Sequence, residues 1–288
     1  MIIRIMQVSR VLQVAIKSKL IRRRRSQIGI GIVAAILIFV LLGPLLDPYS
    51  PYAFIAKPNA PPSFQHPFGT NYLGQDVLSQ IVFGAYPSLI IALIAATGAT
   101  MIGFFLGVLG GYFRRLDPYI NGATDVIISL PTLVILITLG TMFYPPSNLL
   151  LAALIILISW PLVARATRSQ VSSLKKSLVV DVAKMNGLSD WRIAWQTIAP
   201  QVASIGAAYF VIIISYSIVI VAALEFLGVG NLSQVSWGQM LYFAQTYAFF
   251  DGDWWWILAP GALITLISSG FALIGFSVEE IMNPRLGF

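Results

Sequence analysis

Six long apolar runs dominate the chain, and its basic residues fall almost entirely between alternate pairs of them. A helix needs about 20 predominantly apolar residues to cross the hydrocarbon of a bilayer. The qualifying runs are residues 28–46, 88–111, 119–143, 149–164, 204–224 and 254–276. The fourth is the shortest, and Trp160-Pro161 is expected to interrupt it. Of the 18 Lys and Arg residues, 17 lie in the N-terminal arm, the 112–118 turn, the 165–203 stretch and the C-terminal tail; the exception is Lys57. Basic residues mark loops that stay in the cytoplasm. The pattern predicts an all-α membrane protein of six transmembrane helices with both termini cytoplasmic.

Composition narrows the function classes. Hydrophobic residues make up 58% of the 288 and charged residues 10%, against about 25% charged in soluble domains. A soluble enzyme, a disordered chain and a disulfide scaffold are excluded. Cysteine is absent, which removes thiolate metal sites and cysteine nucleophiles. The single histidine, His66, excludes any site needing two. The net charge of +7 is accounted for by orientation in a membrane and calls for no nucleic acid. An intramembrane protease would need a Ser–His pair or two aspartates at membrane depth. His66 lies in an outer loop, and only Asp125 falls within a run. A channel or scaffold explains the spans, but not the long inner loop described below.

The segments divide into an arm (1–27), a first span (28–46), an outer loop (47–87), a five-helix core (88–276) containing the inner loop 165–203, and a tail (277–288). Residues 1–20 place Met1, Ile5, Val8, Leu12 and Ile16 on one helical face, the pattern of a helix lying on the inner membrane surface. The apolar run after the arm is too long for a cleaved signal. The outer loop is proline-rich, and Val77, Leu78, Ile81 and Val82 predict a short amphipathic helix before the second span. That span carries Ala95, Ala99, Gly103, Gly107 and Gly111 at steps of four. Such a stripe permits close helix approach, to this chain or to a partner subunit.

The inner loop is too polar to span and too long for a turn. Residues 179–186 suit a short helix, and Gly187 sits where a left-handed cap belongs. Ser189 or Asp190 can cap a second helix from Trp191, with Ile193, Ala194, Trp195 and Ile198 on its apolar face. Pro200 suits the first turn of the next helix. The expected shape is helix, sharp bend, helix: a rigid knob presented to the cytoplasm.

This segment resembles the cytoplasmic loop motif of ABC-importer permeases, Glu-Ala-Ala-x3-Gly-x9-Ile-x-Leu-Pro. Asp181 stands for the Glu, Val182 for the first Ala, Thr197 for the Ile and Ala199 for the Leu; Ala183, Gly187 and Pro200 match. The stretch from His66 to Ser79, His-Pro-Phe-Gly-Thr-x-x-Leu-Gly-x-Asp-Val-Leu-Ser, resembles the dipeptide/oligopeptide/nickel permease family, in its second (C-type) subunit. So do Glu225-Phe-Leu-Gly-Val-Gly230, Ser236-Trp-Gly-x-Met240 and Asn283-Pro-Arg-Leu286. The resemblance implies the type I ABC-importer permease fold in a prokaryotic plasma membrane. It implies as partners a second, related permease subunit, one or two cytoplasmic ATPase subunits and an extracytoplasmic substrate-binding protein. The substrates would be di- or oligopeptides, with oligosaccharides or nickel as the alternative. No phosphate-cradling G-x-x-x-x-G-K-[ST] loop occurs in the chain. It is expected to be non-catalytic, with no bound cofactor or metal, ATP and magnesium being held by the ATPases. By position, Asp181, Ala183, Gly187, Trp191 and Pro200 would form the ATPase-coupling loop. Asp125, a charge within a span, is a candidate gate or path residue, or a partner for Arg165. Glu225, with Asp251 and Asp253, reads as acidic charge on an outer loop, solvated or facing the path. His66 is a remote metal candidate. Trp254-Trp-Trp256 reads as an interfacial aromatic belt.

Overall fold

A computed structural model describes residues 23–46, 49–143 and 145–282. The expected surface helix of residues 1–20 and the 283–286 motif lie outside the described residues. Among those described there are helices and no strands, only an isolated bridge between Thr70 and Asp76. The helices are α1 (Arg24–Leu46), α2 (Val77–Tyr112), α3 (Asp117–Ser129), α4 (Thr132–Met142), α5 (Asn148–Leu174), α6 (Leu178–Met185), α7 (Ala199–Phe226), α8 (Trp237–Asp251) and α9 (Trp254–Met282). Five helices are long and apolar enough to cross a membrane: α1, α2, α5, α9, and α7 together with its lead-in from Asp190. A sixth crossing exists if α3 and α4 count as one span.

The α3–α4 pair corrects the expected straight span 119–143, because its two helices meet at 87°. The cause is local. Pro131 disfavours helical backbone at the residue before it, and Leu130 is extended at φ −82°, ψ 139°. Three other boundaries also move. The expected amphipathic helix at residue 77 and the second span are one 36-residue helix. Its N-terminus is capped by Asp76, whose Oδ2 accepts from Ser79 N at 2.7 Å. Helix α5 runs through Trp160-Pro161 without a break and continues to Leu174, as prolines in apolar spans can when neighbours re-satisfy the backbone. Residues 165–174 are therefore helix, and the inner loop is shorter than expected.

Helices α2 and α5 form the spine. The small-residue stripe of α2 is filled by α5 of the same chain, which is the internal-packing alternative. A Cβ added to Gly103 would lie 2.5 Å from Trp160 O and 2.6 Å from Val163 Cβ. At Gly107 it would meet Thr167 Cβ at 2.6 Å and Ala164 O at 2.7 Å, and at Gly111 Val171 Cβ at 2.6 Å. Residues 160, 163, 164, 167 and 171 recur at three- and four-residue steps, so one ridge of α5 lies in the groove that the glycines open. Around this spine α7 and α9 close a buried core with Ala92, Ala96, Ile213, Ile218 and Ile267. Helix α1 is peripheral, crossing α9 where Gly29 meets Gly270.

Side chains rather than a sheet ladder order the proline-rich loop before α2. Thr70 Oγ1 donates to Lys57 O at 2.7 Å and accepts from Ala60 N at 2.8 Å. The amides of Gln75 and Gln80 donate to Tyr52 O and Pro51 O. Prolines leave carbonyls without ladder partners, and these amides supply the donors. His66 Nδ1 lies 2.8 Å from Asp76 Oδ1, tying the loop to the cap of α2.

Gly107→Ala puts a methyl against a backbone oxygen that cannot rotate away. We expect it to cost about 1–3 kcal/mol of stability. Gly122→Ala, where no atom lies within 4 Å, should be neutral or stabilise by up to about 1 kcal/mol through helix propensity. Thermal unfolding of the purified variants in detergent checks both signs.

Candidate functional site: a bent element at the basic end

Basic residues gather where α2 ends and α5 ends, and there the chain makes its bend. Helix α6 carries Asp181 in its first turn and Lys184 in its last, both favourable to the helix dipole. It stops at Gly187, φ +74°. Gly187 N donates to Lys184 O at 2.9 Å, and Leu188 N to Ala183 O at 3.2 Å. This pair of bonds is a Schellman closure, which needs a left-handed residue just past the helix. A Cβ at Gly187 would meet nothing within 4 Å, so the backbone angle alone calls for glycine.

Beyond the bend the chain is helical again from Asp190. A short turn (Asp190–Arg192) and a π-helical stretch (Ile193–Ile198) lead directly into α7. The expected second helix is thus the leading end of α7, and Pro200 sits in the first turn of the α7 segment proper. A six-residue π stretch shifts the side-chain register, which puts Ile193, Ala194, Thr197 and Ile198 all on the buried side.

The two faces of the element differ sharply. Val180 and Ala183 pack inward with Val108, Tyr112, Val171, Ile193, Ala194 and Ile198. Outward, Leu178 is 77% and Met185 88% exposed, and Val179 and Val182 are exposed beside them. Asp181 and Gly187 are on this outer side. Trp191 is 55% exposed, with its ring near Phe113 and Trp195. Trp195 stacks on Phe105 at 5.1 Å. Of the expected site residues, Ala183 faces the core, while Asp181, Gly187, Trp191 and Pro200 are exposed.

Polar contacts fasten this end, and most of them join residues that the motif comparison did not single out. Tyr112 Oη donates to Asp190 Oδ1 at 2.6 Å. Lys175 Nζ donates to Tyr112 O at 2.5 Å and lies 5.2 Å over the Tyr112 ring. Arg168 holds Asp117 through two nitrogens. Asp125 sits on α3, half-exposed, and accepts from Arg165 Nη2 at 2.5 Å. The Asp125–Arg165 pair is the one the sequence named as an alternative to a gate role; the other partners lie 51 to 78 positions apart, and sequence spacing carried no signal for them.

The opposite end corrects the reading of Glu225 and Asp253 as solvated outer-loop acids. Glu225 is in the last turn of α7 and 5% exposed; Asp253 is 4% exposed. The side chain of Asp251 lies outside those described. Glu225 Oε2 accepts from Ser236 Oγ at 2.7 Å. A Cβ at Gly238 would stand 2.5 Å from that oxygen, and one at Gly230 2.9 Å from Glu225 Cγ. The two family-like stretches therefore fold into one closed turn around a carboxylate. Trp237 fastens that turn to α2 by donating Nε1 to Ile81 O at 2.9 Å. The belt reading of Trp254–Trp256 is corrected at Trp256 alone. Trp254 is 59% exposed, but Trp256, two residues further round the helix, is 1% exposed and packs on Tyr72. Among the described residues no group of three His, Cys, Asp or Glu could hold a metal ion, and the neighbour of His66 is Asp76.

Comparison with known proteins places this architecture. Residues 99–288 match the family described as "Binding-protein-dependent transport system inner membrane component". The dipeptide transport system permease protein DppC of Alkalihalophilus pseudofirmus is 31% identical over 264 residues, covering 90% of this chain and 85% of its own. The protein of the same name from Bacillus subtilis strain 168 is 28% identical over 271 residues, covering 93% and 84%. The match takes in the bent element, the spine from Ala99 onward and the closed turn around Glu225. This multi-pass membrane protein belongs to the family of binding-protein-dependent transport system inner membrane components.

Proposed function

We propose that the chain is a non-catalytic permease subunit of an ATP-driven importer in a prokaryotic plasma membrane. It forms the translocation path with a second, related permease, using six spans and keeping both termini in the cytoplasm. Cytoplasmic ATPases bind ATP and magnesium and dock on α6, and an outer binding protein delivers substrate. The substrate class is di- or oligopeptides, which the names of the two relatives support. Oligosaccharides or nickel are the alternative cargo on the same machinery.

One observation carries the reading: a bent element whose outer face is apolar, packed on the helical run that continues into α7. Leu178, Val179, Val182 and Met185 form an apolar patch on a helix of eight residues. Apolar patches rimmed by charge mark protein contacts. Beyond the Gly187 bend, Asp190–Phe226 is one helical run, and Val180 and Ala183 of α6 are buried in one cluster with Ile193 and Ala194 of that run. A push on α6 therefore displaces a whole spanning helix, as rigid-body switching requires. The two broken halves α3 and α4 leave most of their residues exposed, with only Thr124 buried in α3 and Leu136 and Gly140 in α4. That surface suits the second permease subunit and the path between the two.

Charge on the docking face should uncouple the importer. Met185→Asp with Leu178→Asp is expected to lower ATP-dependent uptake of a labelled tripeptide at least about tenfold, with the chain still present in the membrane. Uptake unchanged by both substitutions would refute the docking role. Orientation is checked separately in this cysteine-free chain. Cysteine placed at Lys57 should react with an impermeant thiol reagent in whole cells, and cysteine at Arg115 only after lysis. The reverse pattern would invert the topology.

A further inference from the structure

We infer that Tyr112 is a positioning residue, the joint through which the docking element moves α2 and α5 together with α7. The inference rests on the docking role proposed for α6 and adds where its motion goes.

Three helix ends meet on this one side chain. Tyr112 is the last residue of α2 and is 3% exposed. Its hydroxyl donates to Asp190, the first residue of the helical run that continues into α7. Its carbonyl, one of those that a helix C-terminus leaves without an intrahelical partner, accepts from Lys175, just past the end of α5. The same ammonium stands over its ring. The ring itself packs among Val180 and Ala183 of α6 and Ile193 and Ala194 of the lead-in.

The local sequence gives up something to make this joint. Ser189 occupies the cap position of the Asp190 helix, yet its side chain makes no cap bond. The Asp190 carboxylate reaches instead to a tyrosine 78 positions away. Residues of these types ordinarily satisfy the free N–H groups of their own helix. Departure from that rule is expected where a contact serves function more than local stability. A hydroxyl–carboxylate bond is also directional and charge-assisted. It fixes the azimuth of the lead-in, which apolar packing with Ile193 and Ala194 alone leaves free to slide.

The mechanical consequence follows from the spine. Helices α2 and α5 are interlocked along the glycine stripe: sliding would carry Val163, Thr167 and Val171 off the open faces of Gly103, Gly107 and Gly111 and onto α2 residues that bear side chains. Anchoring the lead-in to their shared end turns three helices, not one, into the body that α6 drives.

The test uses spin labels on Arg115→Cys and on Gln196→Cys of the lead-in, both exposed in a chain without cysteine. Pulsed-dipolar distances are measured on the complex purified from its host, before and after trapping with MgATP and vanadate. With Tyr112 intact the distance distribution should be narrow and the same in both states. Tyr112→Phe removes only the hydroxyl, and Asp190→Ala only its acceptor. Each should broaden the distribution and shift it on trapping, and the two together should do no more than either alone. ATP hydrolysis should persist while uptake of a labelled tripeptide per ATP falls about tenfold, the scale of one lost bond to a charged group. Asp190→Asn, which keeps an oxygen acceptor, should restore the narrow distribution. A Tyr112→Phe protein with wild-type distances and wild-type uptake per ATP would overturn the inference. If no ATPase accompanies the wild-type chain, the docking reading falls, and the distances without nucleotide still decide whether the joint exists.

Discussion

The close approach of α2 and α5 is the constraint on which the rest of the molecule depends. In lipid there is little hydrophobic drive between helices, so association rests on van der Waals fit over the shared length. Here the fit is made by three glycines, each of which brings α5 backbone or a β-carbon within the space of a missing methyl. The spine sets where α5 ends, and so where Lys175, Arg168 and Arg165 are delivered. It sets where α2 ends, and so where Tyr112 receives the chain returning from the bend. At the other end it holds the start of α2, on which the Glu225 turn and the proline-rich loop are built through Trp237, Ser88 and Asp76.

The two ends are stabilised by different chemistry. At the basic end, exposed or half-exposed ion pairs tie α3 to α5, and one tyrosine–aspartate bond joins two helix ends. Pairs this exposed contribute little to stability, so their value lies in geometry. At the opposite end, buried amides, a histidine–aspartate pair and a buried carboxylate organise loops that would otherwise lack backbone partners. A solvent-exposed end fastened by ion pairs and a tightly buried, satisfied end fit a subunit that receives movement on one side and keeps a fixed surface on the other.

Hydropathy and charge placement made the helical class and most of the spans legible, because lipid allows few alternatives for a backbone that must satisfy itself. Gly187 was legible as the bend for a local reason: a left-handed cap is written in a single residue. The glycine stripe was legible as a contact but not in its partner, since a step of four names one face of a helix and says nothing of what lies against it. What could not be read was long-range. Glu225 opens a stretch to Asp253 that holds no Lys or Arg and looked solvated, yet Ser236 and Gly238 fold back over it. Trp160-Pro161 looked like a break, yet α5 runs through it. Leu130-Pro131, with the same residue type, is the real bend. Tyr112 carried no signal at all, because its importance comes from three helix ends that are distant in the chain.

The account turns on the exposed face of α6 being a seat for an ATPase, and site-directed photo-crosslinking addresses that contact itself. A photoreactive residue at Met185, activated in host membranes, should yield one dominant adduct whose partner, identified by mass spectrometry, carries a phosphate-binding G-x-x-x-x-G-K-[ST] loop. Adducts only with lipid, or with proteins lacking such a loop, would contradict the account and leave the bent element without its proposed role.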